Sequence, residues 1–198
     1  MHIQENSVTT KVFVNQQVCC IIFTEASSGP IFGNEIEKKR FLDMLLDTRQ
    51  SFCTEIYAYC ILDGKAYILA GAERRREIES AAVHLRTKFE LYYQKNYPGE
   101  MTSLCCGMRW LEYVSWESVA LECVKLHQLP VKDMRVERSE DYWWSSLKEY
   151  LLRYQSGIIR PQTLLEGLDL DRRSALRKMR TLRQMENSHQ NNLNNKNV

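Results

Sequence analysis

Residues 58–71 read AYCILDGKAYILAG. Two apolar runs flank Asp63-Gly64, which is the turn chemistry of a tight hairpin. Lys65 and Tyr67 stand two apart on the second run, so on a strand they project from one face. Upstream, residues 11–23 (KVFVNQQVCCIIF) are rich in β-branched and apolar residues and predict a strand, which SSGP at 27–30 ends. Asn34 with Glu37 three residues on has the spacing of a capping box, and a helix is expected to about residue 49, with Phe41, Leu42, Leu45 and Leu46 inward. Downstream, residues 74–97 form a long amphipathic pattern. Ile78, Ala82, Leu85, Phe89 and Tyr92 recur at spacings of three and four. YPGE closes that pattern, residues 102–115 return to strand-like types, and helix signals resume at 116–127 and 139–154. The order strand, helix, strand, strand, helix, strand predicts an α+β fold: a ferredoxin-like antiparallel sheet with helices packed on one face.

The chain has 198 residues, 44% hydrophobic and 26% charged, enough for one globular core. The net charge of +2 is too small to specify a nucleic-acid partner by itself, so the distribution of charge has to decide. No apolar run approaches the roughly 18–20 residues of a membrane span, and MHIQENSVTTK has no apolar leader. A cytoplasmic protein away from membranes is expected. The cysteine count is seven, odd and without a C-x-x-C pair, which predicts buried thiols in a reducing compartment rather than a metal cluster.

Gly157 and Pro161 mark a seam. It divides the chain into a main domain at 1–157, a helical appendage at 158–186 and an Asn-rich tail at 187–198, expected to be disordered. Within the appendage, residues 172–183 (RRSALRKMRTLR) hold six basic residues and no acidic one. On a helix, Ala175, Met179 and Leu182 make an apolar stripe, while Arg173, Arg177 and Arg180 line another face. A helix-turn-helix-like pair over 161–185, lying against a nucleic-acid backbone, fits this pattern, and so does a solvated basic face on a docked helix.

In this order the segments resemble the REP-associated tyrosine transposases of the IS200-like group. GPIFGNEIEKKRFLDML is similar to that family's first helix, AYCILDGKAYILA to its AYCLMPNHVHLLL, LHQLPVKDMRV to its IHLNPVRAGLV, and EDYWWSSLKEYL to its EDYPWSSYRAYL. The likeness covers about residues 18–170, or an IS200-like transposase domain over 1–157 with its C-terminal helices. It implies enzymes that cut single-stranded DNA with a helix-borne tyrosine, forming a phosphotyrosine link. Two strand histidines there hold a divalent metal, magnesium or manganese, on the scissile phosphate.

Lys65 and Tyr67 occupy the histidine positions. A charged ammonium has no lone pair to offer a cation, and a neutral phenol is a poor ligand for magnesium. Phe89 aligns with the nucleophile. Shifted by one turn, Tyr92 or Tyr93 takes its place, with Gln94 supplying the nearby amide. The family's strand arginine aligns with Thr24-Glu25. The resemblance therefore implies a catalytically inactive homologue that needs no metal and still binds single-stranded or hairpin DNA. Its candidate phosphate contacts are Arg109, Lys132, Arg173, Arg177, Lys178 and Arg180. An active enzyme using Tyr92 or Tyr93, and a regulatory module binding an acidic protein through the basic helix, are the competing readings. Arg74, Arg75 and Arg76 open a helix where the dipole disfavours cations, a further hint of an anionic partner. Trp143-Trp144 reads as a wedge packing the C-terminal helix, and His127 and His84 as a hydrogen-bonded structural residue and an exposed one. Monomer and dimer remain equally compatible with the sequence.

Overall fold

The computed structural model describes residues 16–25, 31–98, 103–112, 114–152, 155–168 and 171–194, with side chains described through Met185. The hairpin forms as expected: β2 is Glu55–Leu62 and β3 is Lys65–Ala72. Gly64 adopts φ +78, the left-handed conformation that glycine reaches without strain. Its N–H donates to Ile31 O at 2.6 Å, and the Asp63 carboxylate accepts from Lys38 at 2.6 Å and Arg135 at 2.5 Å. The turn is thus tied to two other parts of the chain. The first strand, β1, is Gln17–Glu25, and its expected residues 11–15 lie outside the described ones. It pairs antiparallel with both β3 and β4 (Leu104–Trp110), giving the sheet order β2-β3-β1-β4.

The first helix, α1 (Glu35–Ser51), starts on Asn34, whose side chain accepts from Glu37 N at 2.9 Å. The second, α2 (Arg75–Asn96), buries Ile78, Ala81, Ala82, Leu85, Phe89 and Tyr93. Both lie on the sheet face that carries Ile21, Phe23, Ile68 and Ala70, where Phe23 and Phe41 meet edge-on at 5.6 Å.

The helices occupy both faces, not one. The reason lies in β2, where Ile56 through Leu62 are all buried, so each face needs a cover. The second cover is α3 (Trp116–Lys132), which runs through Pro130 and past the expected end at 127. It lies over β2 and buries Val119, Ala120, Cys123 and Leu126. The predicted helix at 139–154 is instead a 3-10 turn at Ser139–Asp141 and a short α4 at Leu147–Leu151. Between them the chain runs along the outer edge of β2. Ile61 N donates to Trp144 O at 2.9 Å, Ser146 N to Tyr59 O at 3.1 Å and Tyr59 N to Ser146 Oγ at 3.0 Å. The motif EDYWWSSLKEYL is therefore a seal on a strand edge. Trp143 is 66% exposed and stacks under Lys148, so only half-buried Trp144 takes part in packing and the wedge reading fails for Trp143.

Beyond the seam come α5 (Pro161–Leu168) and α6 (Arg172–Asn194). Leu164, Leu165, Leu168, Ala175 and Met179 join the same apolar cluster as the sheet, so these helices share the core. The backbone of α6 is helical to Asn194, within the Asn-rich stretch expected to be disordered; residues 195–198 lie outside the described ones. Of the cysteines, Cys19, Cys20, Cys60 and Cys123 are buried, whereas Cys53 and Cys105 are exposed. No helix among the described residues is long and apolar enough to cross a membrane.

His127 on α3 is 2% exposed, with Nε2 2.9 Å from Ser146 Oγ, the residue that seals β2. Burial first, and Arg183 second, push its pKa down to about 3. The unfolded chain takes up this proton near pH 6.5 and the folded chain does not. Stability is therefore full above about pH 6.5 and falls as pH drops toward 3, by up to about 1.4 kcal/mol per pH unit. Urea unfolding between about pH 7 and pH 5 should show this slope for wild type and lose it for His127→Gln. An equal slope in both proteins would remove His127 as the cause. His84, read as exposed, is half-buried with its ring centroid 5.2 Å from that of Phe52.

Candidate nucleic-acid interface

Register places Lys65 opposite Thr24 and Tyr67 opposite Ile22. Thr24 in turn faces Cys105, and Ile22 faces Gly107. These two rows share the sheet face that α3 covers farther along. The cover begins at the next row, Leu69–Cys20–Arg109, where Arg109 reaches Glu122 of α3 at 2.5 Å. The end of the face is left open: Lys65, Cys105 and Gly107 are exposed, and Tyr67, Ile22 and Thr24 are half-buried. Single-sequence periodicity locates Lys65 and Tyr67 but not Ile22, Cys105 or Gly107, which reach this surface only through the pairing of β1 with its neighbours.

Burial first, then the thiols of Cys20 and Cys60 and the carboxylate of Asp133, raise the pKa of Tyr67. Its phenol stays protonated at neutral pH. Beside it stand an ammonium, a threonine hydroxyl and an isoleucine, with neither imidazole nor carboxylate in the two open rows. This donor set does not fit magnesium or manganese, which need anionic or neutral oxygen ligands in number. Among the described residues, no cluster of three or more His, Cys, Asp or Glu side chains has metal-binding geometry.

Phe89 lies on the other side of the sheet. It is 0% exposed, and its ring sits 5.1 Å from Phe32 and 5.3 Å from Phe41 by centroid. Phe41 touches Phe23, and Phe23 points away from Thr24 and hence from Lys65. The positions that the resemblance would bring around one phosphate are therefore separated by the sheet. The one-turn alternative fares no better for Tyr93, which is 4% exposed and stacked on Tyr97 at 4.4 Å. Spacing of four from Leu85 through Phe89 carries the buried stripe to Tyr93, while Tyr92 is half-buried and Gln94 exposed.

The candidate phosphate contacts fall into two groups. Arg109 is held by Glu122, which also accepts from Lys125 at 2.9 Å. Burial pushes the Glu122 carboxyl up, but the two cations outweigh it and hold it below the usual range. Arg109 nonetheless keeps over half of its side chain in solvent, next to the open rows. Lys132 is exposed at the end of α3. On α6, Arg172 donates to Tyr150 O at 3.1 Å, Lys178 pairs with Glu117 at 2.7 Å and Arg183 with Glu140 at 2.7 Å. These three hold the helix to the body, so Lys178 is a docking residue. Arg173, Arg177 and Arg180 are exposed and in no ion pair among the described residues. Arg177 leans on Ser174 Oγ at 3.0 Å. The basic helix thus divides into an inward, neutralised side and an outward stripe. At the start of α2, Arg74, Arg75 and Arg76 are exposed, with Arg75 stacked on Trp110 at 4.7 Å.

No family model and no curated protein matches this sequence. A solved structure of a REP-associated tyrosine transposase bound to a REP hairpin has a similar fold, with a TM-score of 0.57 over 69% of this chain and 80% of that chain, at 9% sequence identity. Likeness of fold and likeness of the quoted segments are separate observations, and both lead to the same scaffold.

Proposed function

We propose that this protein binds single-stranded or hairpin DNA on a transposase-like scaffold and does not cleave it. The observation that carries the reading is the separation of Phe89, inside an aromatic core on one side of the sheet, from Lys65 and Tyr67 on the other. Cleavage by the resembled mechanism needs a hydroxyl nucleophile and metal ligands around one phosphate. These positions offer a benzyl ring, an ammonium and a phenol. What they retain suits binding. Lys65 can neutralise a phosphate, and the Tyr67 ring can stack on a base at the open end of the sheet. The similar solved chain is bound to a REP hairpin, and the outward stripe of α6 adds three arginines that can follow a phosphate backbone.

Mobility shifts with hairpin, single-strand and duplex DNA test this directly. Four phosphate contacts, from Lys65 and the three arginines, predict a loss of about 150-fold in affinity between about 50 and 200 mM salt, and hairpin or single strand should outcompete duplex. Incubation of the same hairpin with manganese or magnesium should leave no protein–DNA adduct stable to denaturing gels. Absence of binding to all three DNAs at low salt would end the proposal, and an adduct on any tyrosine would convert it into a working enzyme.

A further inference from the structure

The end of the sheet far from Lys65 and Tyr67 carries a cleft. Register sets Lys65 against Leu62 at the hairpin turn and Gly71 against Glu55 at the other end of the same two strands. There α1 ends, β2 begins, β3 ends and α2 begins, and they enclose about 470 Å³, within the size range of small-molecule sites.

The charges around the cleft are sorted by strand. On the β2 side stand Arg49 and Arg160. Arg49 donates to Gly157 O through one nitrogen, and Arg160 makes only a long 3.6 Å pair with Glu55, so both guanidinium groups keep donors to spare. On the β3 side stand Glu73, just past the strand, and Glu77 in the first turn of α2. Glu73 is exposed and in no ion pair among the described residues, and Glu77 gives one oxygen to Arg74 N at 3.2 Å. Between the two sides lies Thr54. It is 7% exposed and its N–H donates to Phe52 O at 2.7 Å, but its hydroxyl has no partner among the described residues. A polar group so buried is ordinarily satisfied, so a lone hydroxyl lining a cleft points to a bound group. Phe52, half-buried with its ring against His84, adds an apolar patch.

We propose that this cleft binds a dipeptide with free termini, its carboxylate on Arg49 and Arg160 and its ammonium at Glu73 and Glu77. A free amino acid hangs both charges from one carbon. A dipeptide sets its α-carbons about 3.8 Å apart, close to the roughly 4.8 Å between adjacent strands. Its one peptide group then meets the Thr54 hydroxyl, which can donate to the C=O or accept from the N–H. An apolar side chain covers Phe52. Glu55, Glu73 and Glu77 repel a polyanion, so the cleft does not extend the nucleic-acid surface, and the inference does not depend on that reading.

Calorimetric titration of the full chain with alanyl-leucine, its N-acetyl derivative and its methyl ester tests it. The free dipeptide should bind saturably with a dissociation constant of about 1 mM or below. Each blocked form loses one charge-assisted contact and should bind at least about 10-fold more weakly. Arg160→Gln alters an exposed side chain and should leave the melting temperature in place. It should weaken the free dipeptide about 10-fold and leave the methyl ester nearly unchanged, because the ester already lacks that contact. Thr54→Val should weaken all three forms about 5-fold. Absence of saturable binding up to about 10 mM overturns the proposal. Equal binding of free and blocked forms overturns it as well, since the terminal charges are then not read. So does an Arg160→Gln variant that weakens ester and free dipeptide alike, or an unchanged affinity in Thr54→Val.

Discussion

Replacing Arg173, Arg177 and Arg180 together by glutamine is expected to weaken binding to hairpin DNA about 500-fold at about 0.1 M salt. The figure follows from counterion release. Each phosphate contact adds about 0.9 to the slope of log affinity against log salt, hence about 0.9 of a decade at 0.1 M relative to 1 M. Three contacts give about 2.7 decades, and the fitted slope should fall by nearly 3. The three arginines qualify because they are exposed on one side of α6 and stand in no ion pair among the described residues. Arg172, Lys178 and Arg183 supply the control. Replacing them by glutamine removes the same charge from the same helix but breaks its ties to Tyr150, Glu117 and Glu140. That variant should lose stability and keep most of the salt slope once folded. Equal loss of slope in both variants would mean that net charge, not the outward stripe, governs binding. An unchanged slope in the first would leave the stripe to an acidic protein partner or to solvent.

Local chemistry was the legible part of this fold. Asp63-Gly64 specified the hairpin, Asn34 with Glu37 specified the start of α1, and the stripe through Phe89 specified the buried side of α2. The second helical layer was encoded too, in a β2 strand without polar alternation, which signals burial on both faces. What failed were features set by distant partners. The segment 142–146 carries helix-compatible residues, yet the unpaired edge of β2 captures its backbone. Asn-rich composition carries no apolar period after residue 186, and the helical backbone there continues from the docked first half of α6. The open end of the sheet could not be seen from any one segment, because it is assembled from three strands and bounded by where α3 starts to cover them. The sequence alone sets Lys65, Tyr67 and Phe89 apart as departures from the resembled site. Their placement on opposite sides of the sheet required the fold.

That placement makes Phe89 the most informative residue to change. Phe89→Ala empties a site bounded by Phe32, Phe41 and Tyr93, and a cost of about 4 kcal/mol in urea unfolding is expected. Binding of DNA by the fraction still folded should not change. Phe89→Tyr is the sharper experiment. Its added hydroxyl enters an apolar cluster, and leaving it without a partner costs about 1–3 kcal/mol. Combined with Lys65→His and Tyr67→His, it rebuilds the three residues that the resemblance implies for cleavage. No covalent DNA adduct should form with magnesium or manganese, because the new imidazoles project on the α3 side and the new phenol on the α1–α2 side. Restoring residue types does not restore a site whose members lie across a sheet from one another. An adduct that requires all three substitutions would show that α2 can swing its residue 89 out of the core, and the proposed division of the two faces would fall.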